Sequence, residues 1–186
     1  MRVISGILKG HRINPPQGLD LRPTTDFAKE ALFNILEQHC IWPEWDVLDL
    51  FSGTGNISFE FSSRGCKSVT AVEKQVQAHR FIRAFSSSKK LNITVFGTDI
   101  RVFLKKNTKQ FDLVFADPPY TLDFIKELPD CILNASVLKP TGQMIIEHGE
   151  KGLFANHPHF IKERHYGAVH VSWFLPTMEN PRFLKI

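Results

Sequence analysis

From Asp46 onward, short apolar runs alternate with amphipathic stretches, and this alternation predicts a parallel sheet with helices between its strands. Asp46-Val47-Leu48-Asp49-Leu50-Phe51 has the length and apolar density of a buried strand, and Ser68 to Val72, Asn92 to Phe96, Phe111 to Ala116 and Met144 to Glu147 repeat it. Between them an amphipathic segment opens at Asn56, and Asp99 opens a helix carrying Val102, Phe103 and Leu104. A further helix is expected through Phe124, Ile125 and Leu128. The rhythm changes near the end, where His159 to Tyr166 and Ala168 to Leu175 flank Gly167. There Val169, Val171 and Trp173 alternate as in an antiparallel hairpin. Ahead of the first strand, Ala28, Ala31, Leu32, Ile35 and Leu36 fall at helical spacing behind Thr25 or Asp26 as cap.

The expected fold is therefore α/β and Rossmann-like, a seven-stranded, mostly parallel sheet closed by an antiparallel C-terminal hairpin. Residues 1–24 read as an N-terminal extension. In it Met1 to Ser5 and Arg12 to Asn14 form a short β-hairpin around Gly6 and Gly10, before Pro15-Pro16 and Pro23 stop regular structure. Residues 25–186 form the main domain.

Composition narrows the setting. A chain of 186 residues fits one domain with a substantial core. No apolar run approaches the ~20 residues of a membrane span, and Met1-Arg2-Val3-Ile4-Ser5-Gly6 lacks the apolar core of a signal peptide. A cytoplasmic protein with no membrane partner is expected. Cys40, Cys66 and Cys131 are widely separated and lack Cys-x-x-Cys spacing, which indicates neither disulfides nor zinc. His157-Pro158-His159 has no third ligand placed by sequence, so no metal is expected. The formal net charge of +4 permits nucleic-acid binding without demanding it. Lys89, Lys90, Lys105, Lys106 and Lys109 sit near helix ends, where the helix dipole explains them. That leaves Lys9, Arg12 and Arg22, in the Gly/Pro-punctuated opening, as candidate phosphate contacts.

The first strand runs into Ser52-Gly53-Thr54-Gly55-Asn56, and strand, glycine turn and helix together make a nucleotide-type pocket. One β-α unit later Ser68 to Val72 ends in Glu73, whose carboxylate suits both hydroxyls of a ribose. The turn is not a dinucleotide fingerprint, because Ser58 stands at the third glycine position and no Arg or Lys is near to hold a pyrophosphate. No P-loop is present either. Asp49 ahead of the turn repels phosphate and suits a cation. S-adenosylmethionine carries an ammonium and a sulfonium and no phosphate, and it is the expected cofactor.

Asp117-Pro118-Pro119-Tyr120 follows the fourth apolar run. It presents a carboxylate, a carbonyl on a stiff loop and an aromatic face to one planar amine, the requirements for methylating an exocyclic nitrogen. No cysteine lies in this run, whereas methylation at pyrimidine C5 needs a thiolate.

Met1 to Gly6, Leu21-Arg22-Pro23-Thr24-Thr25-Asp26, Glu30 to Asn34, Leu48 to Gly55, Asp117 to Tyr120 and Arg164-His165-Tyr166-Gly167 together closely resemble the RsmD-type bacterial methyltransferases. The resemblance spans nearly the whole chain and implies the class I fold, with methyl transfer from S-adenosylmethionine to N2 of one guanine in 16S rRNA. The implied partner is 16S rRNA or the small ribosomal subunit particle, engaged by a monomer. Asp117, Pro118, Pro119 and Tyr120 are then catalytic. Asp49, Phe51, Ser52, Gly53, Thr54, Gly55, Glu73 and Asp99 hold the cofactor, and Lys9, Arg12, Arg22, Thr24, Thr25 and Lys29 contact RNA. Asp99 is equally readable as a helix cap. Two positions depart from the family pattern: Phe27 replaces a usual Arg, and Asn56 follows the glycine turn, where it would serve as a cap. The alternatives are a DNA adenine-N6 or other amine methyltransferase, and a non-catalytic cofactor-binding assembly factor.

Overall fold

The computed structural model describes residues 1–16 and 26–177. Helix α1 (Asp26–Glu37) precedes an alternation of β1 (Asp46–Leu50), α2 (Asn56–Ser63), β2 (Ser68–Val72), α3 (Val76–Ser88), β3 (Ile93–Phe96), α4 (Ile100–Lys106), β4 (Phe111–Ala116) and α5 (Leu128–Asn134). Then β5 (Leu138–His148), β6 (Phe160–Tyr166) and β7 (Val169–Phe174) complete the chain. The sheet order is β3-β2-β1-β4-β5-β7-β6. Strands β1 to β5 are parallel, while β7 runs antiparallel to both β5 and β6. Both the seven strands and the closing hairpin are as the periodicity predicted. No helix among the described residues is long and apolar enough to cross a membrane.

Alternation along each strand divides the core between the two sheet faces. Leu48, Leu50, Val114, Ala116, Met144 and Ile146 pack with Phe103 and Ile132 on one side. Val47, Leu113, Phe115 and Ile145 pack with Leu32, Phe33, Phe61 and Trp173 on the other. The chain leaves β1 toward β2 but reaches β4 on the opposite flank, so the strand order reverses between β1 and β4. In an open α/β sheet, the carboxyl ends of strands at such a reversal are where ligands bind. Leu50 and Ala116 are register partners, so Phe51 and Asp117 leave the sheet side by side.

Three expectations are corrected. The helix expected through Phe124, Ile125 and Leu128 begins only at Leu128, with Pro129 in its first turn; residues 120–127 form turns instead. Proline lacks the N–H a helix interior needs and is tolerated at the start, which fixes this helix's beginning. Strand β5 runs for 11 residues, through Pro140 and Gly142, with an irregularity in its pairing to β4 between Phe111 and Leu113. Asn56 is not a cap: Gly55 (φ 80°) is the capping residue and Asn56 is the first residue of α2.

The opening hairpin is reduced to one antiparallel bridge between Arg2 and Arg12, with backbone bonds from Val3 to His11 and from Ile13 to Met1 around a short 3-10 turn, Gly6–Leu8. It contributes more core than its glycines and prolines suggest, since Val3 and Ile13 are buried against Phe59, Ala71 and Ile82. The carboxylate of Glu60 fastens it further, accepting from the amides of Ile4 (2.7 Å) and Ser5 (3.0 Å). Gly6 (φ 79°) crosses α2 so closely that a Cβ would lie 1.8 Å from the Ser63 carbonyl oxygen. No other residue fits there.

Candidate active site

At the carboxyl ends of β1, β2 and β4 lies a cavity of about 650 Å³. Its floor is the turn after β1. The chain reverses there through Phe51 (φ 61°), a left-handed conformation unusual for a side chain of this size, and then Gly53 (φ 55°). Several hydrogen bonds hold the reversal. The Ser52 amide donates to the Val72 carbonyl (3.0 Å), and the Ser52 hydroxyl donates to the Asp49 carbonyl (2.7 Å) and accepts from the Val72 amide (3.0 Å). Glu73 completes the frame: its two oxygens accept from the amides of Gly53 (2.9 Å) and Gln75 (2.7 Å). One carboxylate thus ties the glycine turn to the end of β2 while lining the cavity.

Asp49 points to the opposite sheet face from its neighbours Leu48 and Leu50, under α2, where the Ser58 hydroxyl donates to it. Burial pushes its carboxyl up to about 7; the Ser58 bond works against the rise, and the nearby carboxylates of Asp117 and Glu73 add to it. Asp49, Glu73, Asp99 and Asp117 therefore share one cavity. With Asp123, five acids among the described residues line the cavity against the two cations Lys74 and Arg101, so its lining is acidic on balance. Asp99 caps α4, accepting from the Arg101 amide (2.9 Å) and Nε (3.2 Å). Burial raises its pKa, but those Arg101 bonds outweigh burial and leave it below the ordinary value. The cap expectation holds, and Asp99 also lines the cavity.

Asp117, Pro118, Pro119 and Tyr120 form the facing wall. The Asp117 amide donates to the Leu50 carbonyl (3.4 Å), keeping the two strand ends together, and the Pro119 carbonyl accepts from Leu122 (2.8 Å) to start the following turns. Tyr120 lies against Gly149 just beyond β5, where a Cβ would stand 2.6 Å from two ring carbons. The absence of a side chain there lets the ring lie flat on the strand end. Gly149 escaped the sequence reading, although a glycine following an apolar run into Glu147 and His148 is a signal for close approach. Lys74, Gln75, Arg101 and Phe124 also line the cavity and were missed. The Arg101 guanidinium sits 4.9 Å over the Phe124 ring. Met1, Pro15 and Pro16 bring the opening segment to the cavity wall, and the Thr54 hydroxyl contacts the Met1 sulfur (3.2 Å).

Of the expected RNA contacts, Lys9 and Arg12 are exposed. Arg22, Thr24 and Thr25 lie outside the described residues. Lys29 is a correction. Its side chain is wholly buried, with the ammonium 3.3 Å from Glu60, 2.9 Å from Asn56 Oδ1 and bonded to the Arg2 carbonyl. Burial lowers its pKa, and the Glu60 carboxylate opposes that shift. Lys29 is a buried clamp joining α1, α2 and the opening segment, and it cannot reach a phosphate. Among the described residues no cluster of His, Cys, Asp or Glu could hold a metal.

The family model described as Conserved hypothetical protein 95 matches residues 1–175. Ribosomal RNA small subunit methyltransferase D of Buchnera aphidicola subsp. Baizongia pistaciae is 32% identical over 154 residues, covering 79% of this chain and 75% of that protein. This chain belongs to the RsmD family. The protein of the same name from Haemophilus influenzae is 32% identical over 153 residues, covering 79% of this chain and 78% of its own. In fold, this RsmD-family chain superposes on a hypothetical protein from Thermus thermophilus with a TM-score of 0.80 at 24% identity, covering 94% and 99% of the two chains. A ribosomal protein L11 methylase from Lactobacillus delbrueckii gives 0.64 at 18%, covering 82% and 79%. The fold is that of class I methyltransferases.

Proposed function

We propose that this RsmD-family chain transfers a methyl group from S-adenosylmethionine to the exocyclic N2 amine of a guanine in small-subunit ribosomal RNA. The observation that carries the reading is the register of β1 with β4: it sets the glycine turn and the Asp-Pro-Pro-Tyr turn on facing walls of one cavity. The names of the relatives, ribosomal RNA small subunit methyltransferases, supply the substrate class. The acid-rich lining, with the Asp49 carboxyl pushed up to about 7 chiefly by burial, fits a cationic cofactor. When bound, S-adenosylmethionine supplies an electrophilic methyl on a sulfonium.

The remaining chemistry belongs to the protein. Glu73 holds the ribose hydroxyls with the acceptor capacity its two backbone bonds leave. Phe51, Ser52, Gly53, Thr54 and Gly55 form the cradle for the methionine end, and Asp49 balances its charge. Asp99 stands at the adenine end. The amine at C2 of guanine is a poor nucleophile because its lone pair is delocalised into the ring. Hydrogen bonds from its two N–H groups to the Asp117 carboxylate and the Pro118 carbonyl localise that pair and orient it. Tyr120 stacks on the base and sets its plane. Asp117 also stabilises the positive charge that grows on nitrogen, and the methylated ammonium then releases its proton to water, so no strong base is required. A paired guanine hides this amine, so the base enters unpaired or flipped.

The test is to incubate the protein with S-adenosylmethionine and unmodified small-subunit RNA or particles, and to identify the product nucleoside by mass spectrometry. N2-methylguanosine is expected. A methylated adenosine, or no methylated nucleoside, would refute the reading.

A further inference from the structure

On the last strand of the sheet, Lys162, Arg164 and Tyr166 alternate with Glu163 and His165 and so share one face of β6. Their register partners on β7 are Trp173, Val171 and Val169, which belong to the core that α1 covers. β6 is the sheet's edge, and it carries this face beyond the helix. Phe27, in the first turn of α1, reaches the same face. Its ring centroid is 6.3 Å from that of Tyr166 at 78°, yet the residue is 72% exposed. A phenylalanine this open adds almost nothing to the core, and the edge-on contact steadies the ring while leaving its face in water.

Two cations stand beside it on the same face, neither of them paired with a carboxylate among the described residues. Among the described residues, Lys162 Nζ is buried without a hydrogen-bond partner, 5.0 Å over the Trp173 ring. The exposed Arg164 hydrogen-bonds Tyr166 and repels Lys162. Two like charges on one strand face are unfavourable alone and favourable beside an anion. None of these four side chains lines the catalytic cavity. Tyr166 nonetheless lies at the cavity's end of the sheet: its register partner Val169 adjoins His170, which pairs with His148 at the carboxyl end of β5.

We infer that Phe27, Tyr166 and Arg164 form a platform that holds a single-stranded segment of the RNA flanking the reacting base, a ring for stacking and an exposed cation for a phosphate. Single-stranded RNA offers both a π-face and regularly spaced phosphates, whereas an acidic protein surface satisfies the cation and leaves the ring unused. The platform rests on the reading that RNA is the substrate.

The test is fluorescence anisotropy with a labelled single-stranded fragment of small-subunit RNA, titrated at several salt concentrations, alongside methyl transfer by the wild-type protein. Phe27→Ala should weaken binding by about 5-fold or more, the low end for losing one base–aromatic stack, while Phe27→Tyr restores it. Arg164→Gln should flatten the slope of log K against log salt by about 0.7, the value for one single-strand phosphate. Cofactor affinity by calorimetry and the melting temperature of Phe27→Ala should match wild type. If the wild type methylates and binds RNA but the variants bind with unchanged affinity and slope, the platform is wrong and the substrate reading stands. If the variants lose affinity only for a poly-glutamate peptide, the platform is a protein-docking face and the proposal is overturned. If the wild type neither binds RNA nor methylates it, the substrate reading falls and the platform with it.

Discussion

Replacing Gly149 by alanine should disable Tyr120 without touching either the tyrosine or the cofactor pocket. The new Cβ would lie 2.6 Å from the nearest ring carbons, against ordinary contacts of 3.4–4 Å, so the ring must retreat by about 1 Å. The strand end cannot give way instead. Met144 to His148 are paired with His170 to Phe174 on β7, and Val114 to Ala116 hold the other side of Met144 to Ile146. A misplacement of ~1 Å at a reacting group costs about 100-fold in rate. Gly149→Ala should therefore lower kcat by about 100-fold with cofactor Kd unchanged, measured as tritiated methyl incorporated into unmodified small-subunit RNA at saturating cofactor. The double variant Tyr120→Ala, Gly149→Ala should be no slower than Tyr120→Ala alone, since the added methyl then meets empty space. Wild-type kcat in the single variant, or a double variant reduced by the product of the single effects, would refute the reasoning.

Other consequences follow from the buried charges. Lys29→Met leaves Glu60 buried with only Arg64 (2.9 Å) to neutralise it, so stability should fall by about 3 kcal/mol, the low end for breaking a buried pair; an unchanged urea midpoint would contradict this. For Asp49, the folded protein holds a proton between the ordinary value of 3.8 and about 7 that the unfolded chain has lost. The unfavourable effect of its ionisation is thus absent below 3.8 and fully present above about 7, so its contribution to stability falls as pH rises through that window. Denaturation of wild type against Asp49→Asn at pH values on either side should show the difference growing with pH. Cationic cofactor binding should also release a proton from Asp49 near neutrality, seen by calorimetry in buffers of different ionisation enthalpy and lost in Asp49→Asn.

Most of the sheet could be read from the chain because parallel strands buried on both faces appear as nearly continuous apolar runs, as at Leu113 to Ala116 in β4. Their C-terminal ends open on the cavity, so Asp49, Glu73 and Asp117, which line it, were legible with them. Features that depend on distant contacts were not. Lys29 looks like any lysine on an amphipathic helix, and only the burial of Glu60, from the middle of α2, turns it inward. The length of β5 was hidden because Pro140 and Gly142 ordinarily mark a turn. The turns at residues 120–127 looked helical, since Phe124, Ile125 and Leu128 have the right spacing, but Phe124 and Ile125 pack against the core from turns and only Leu128 belongs to a helix. Gly149 matters only through Tyr120, which lies 29 positions earlier in the sequence.

In the proposed mechanism Asp117 orients the amine and balances its developing charge while the cofactor is held elsewhere. Asp117→Ala tests it most directly, with single-turnover methyl transfer to unmodified small-subunit RNA measured beside cofactor affinity by calorimetry. The rate should fall by about 100-fold or more, as for other preorganised electrostatic contacts, with cofactor Kd little changed. A near-normal rate, or a loss explained wholly by weaker cofactor binding, would contradict it.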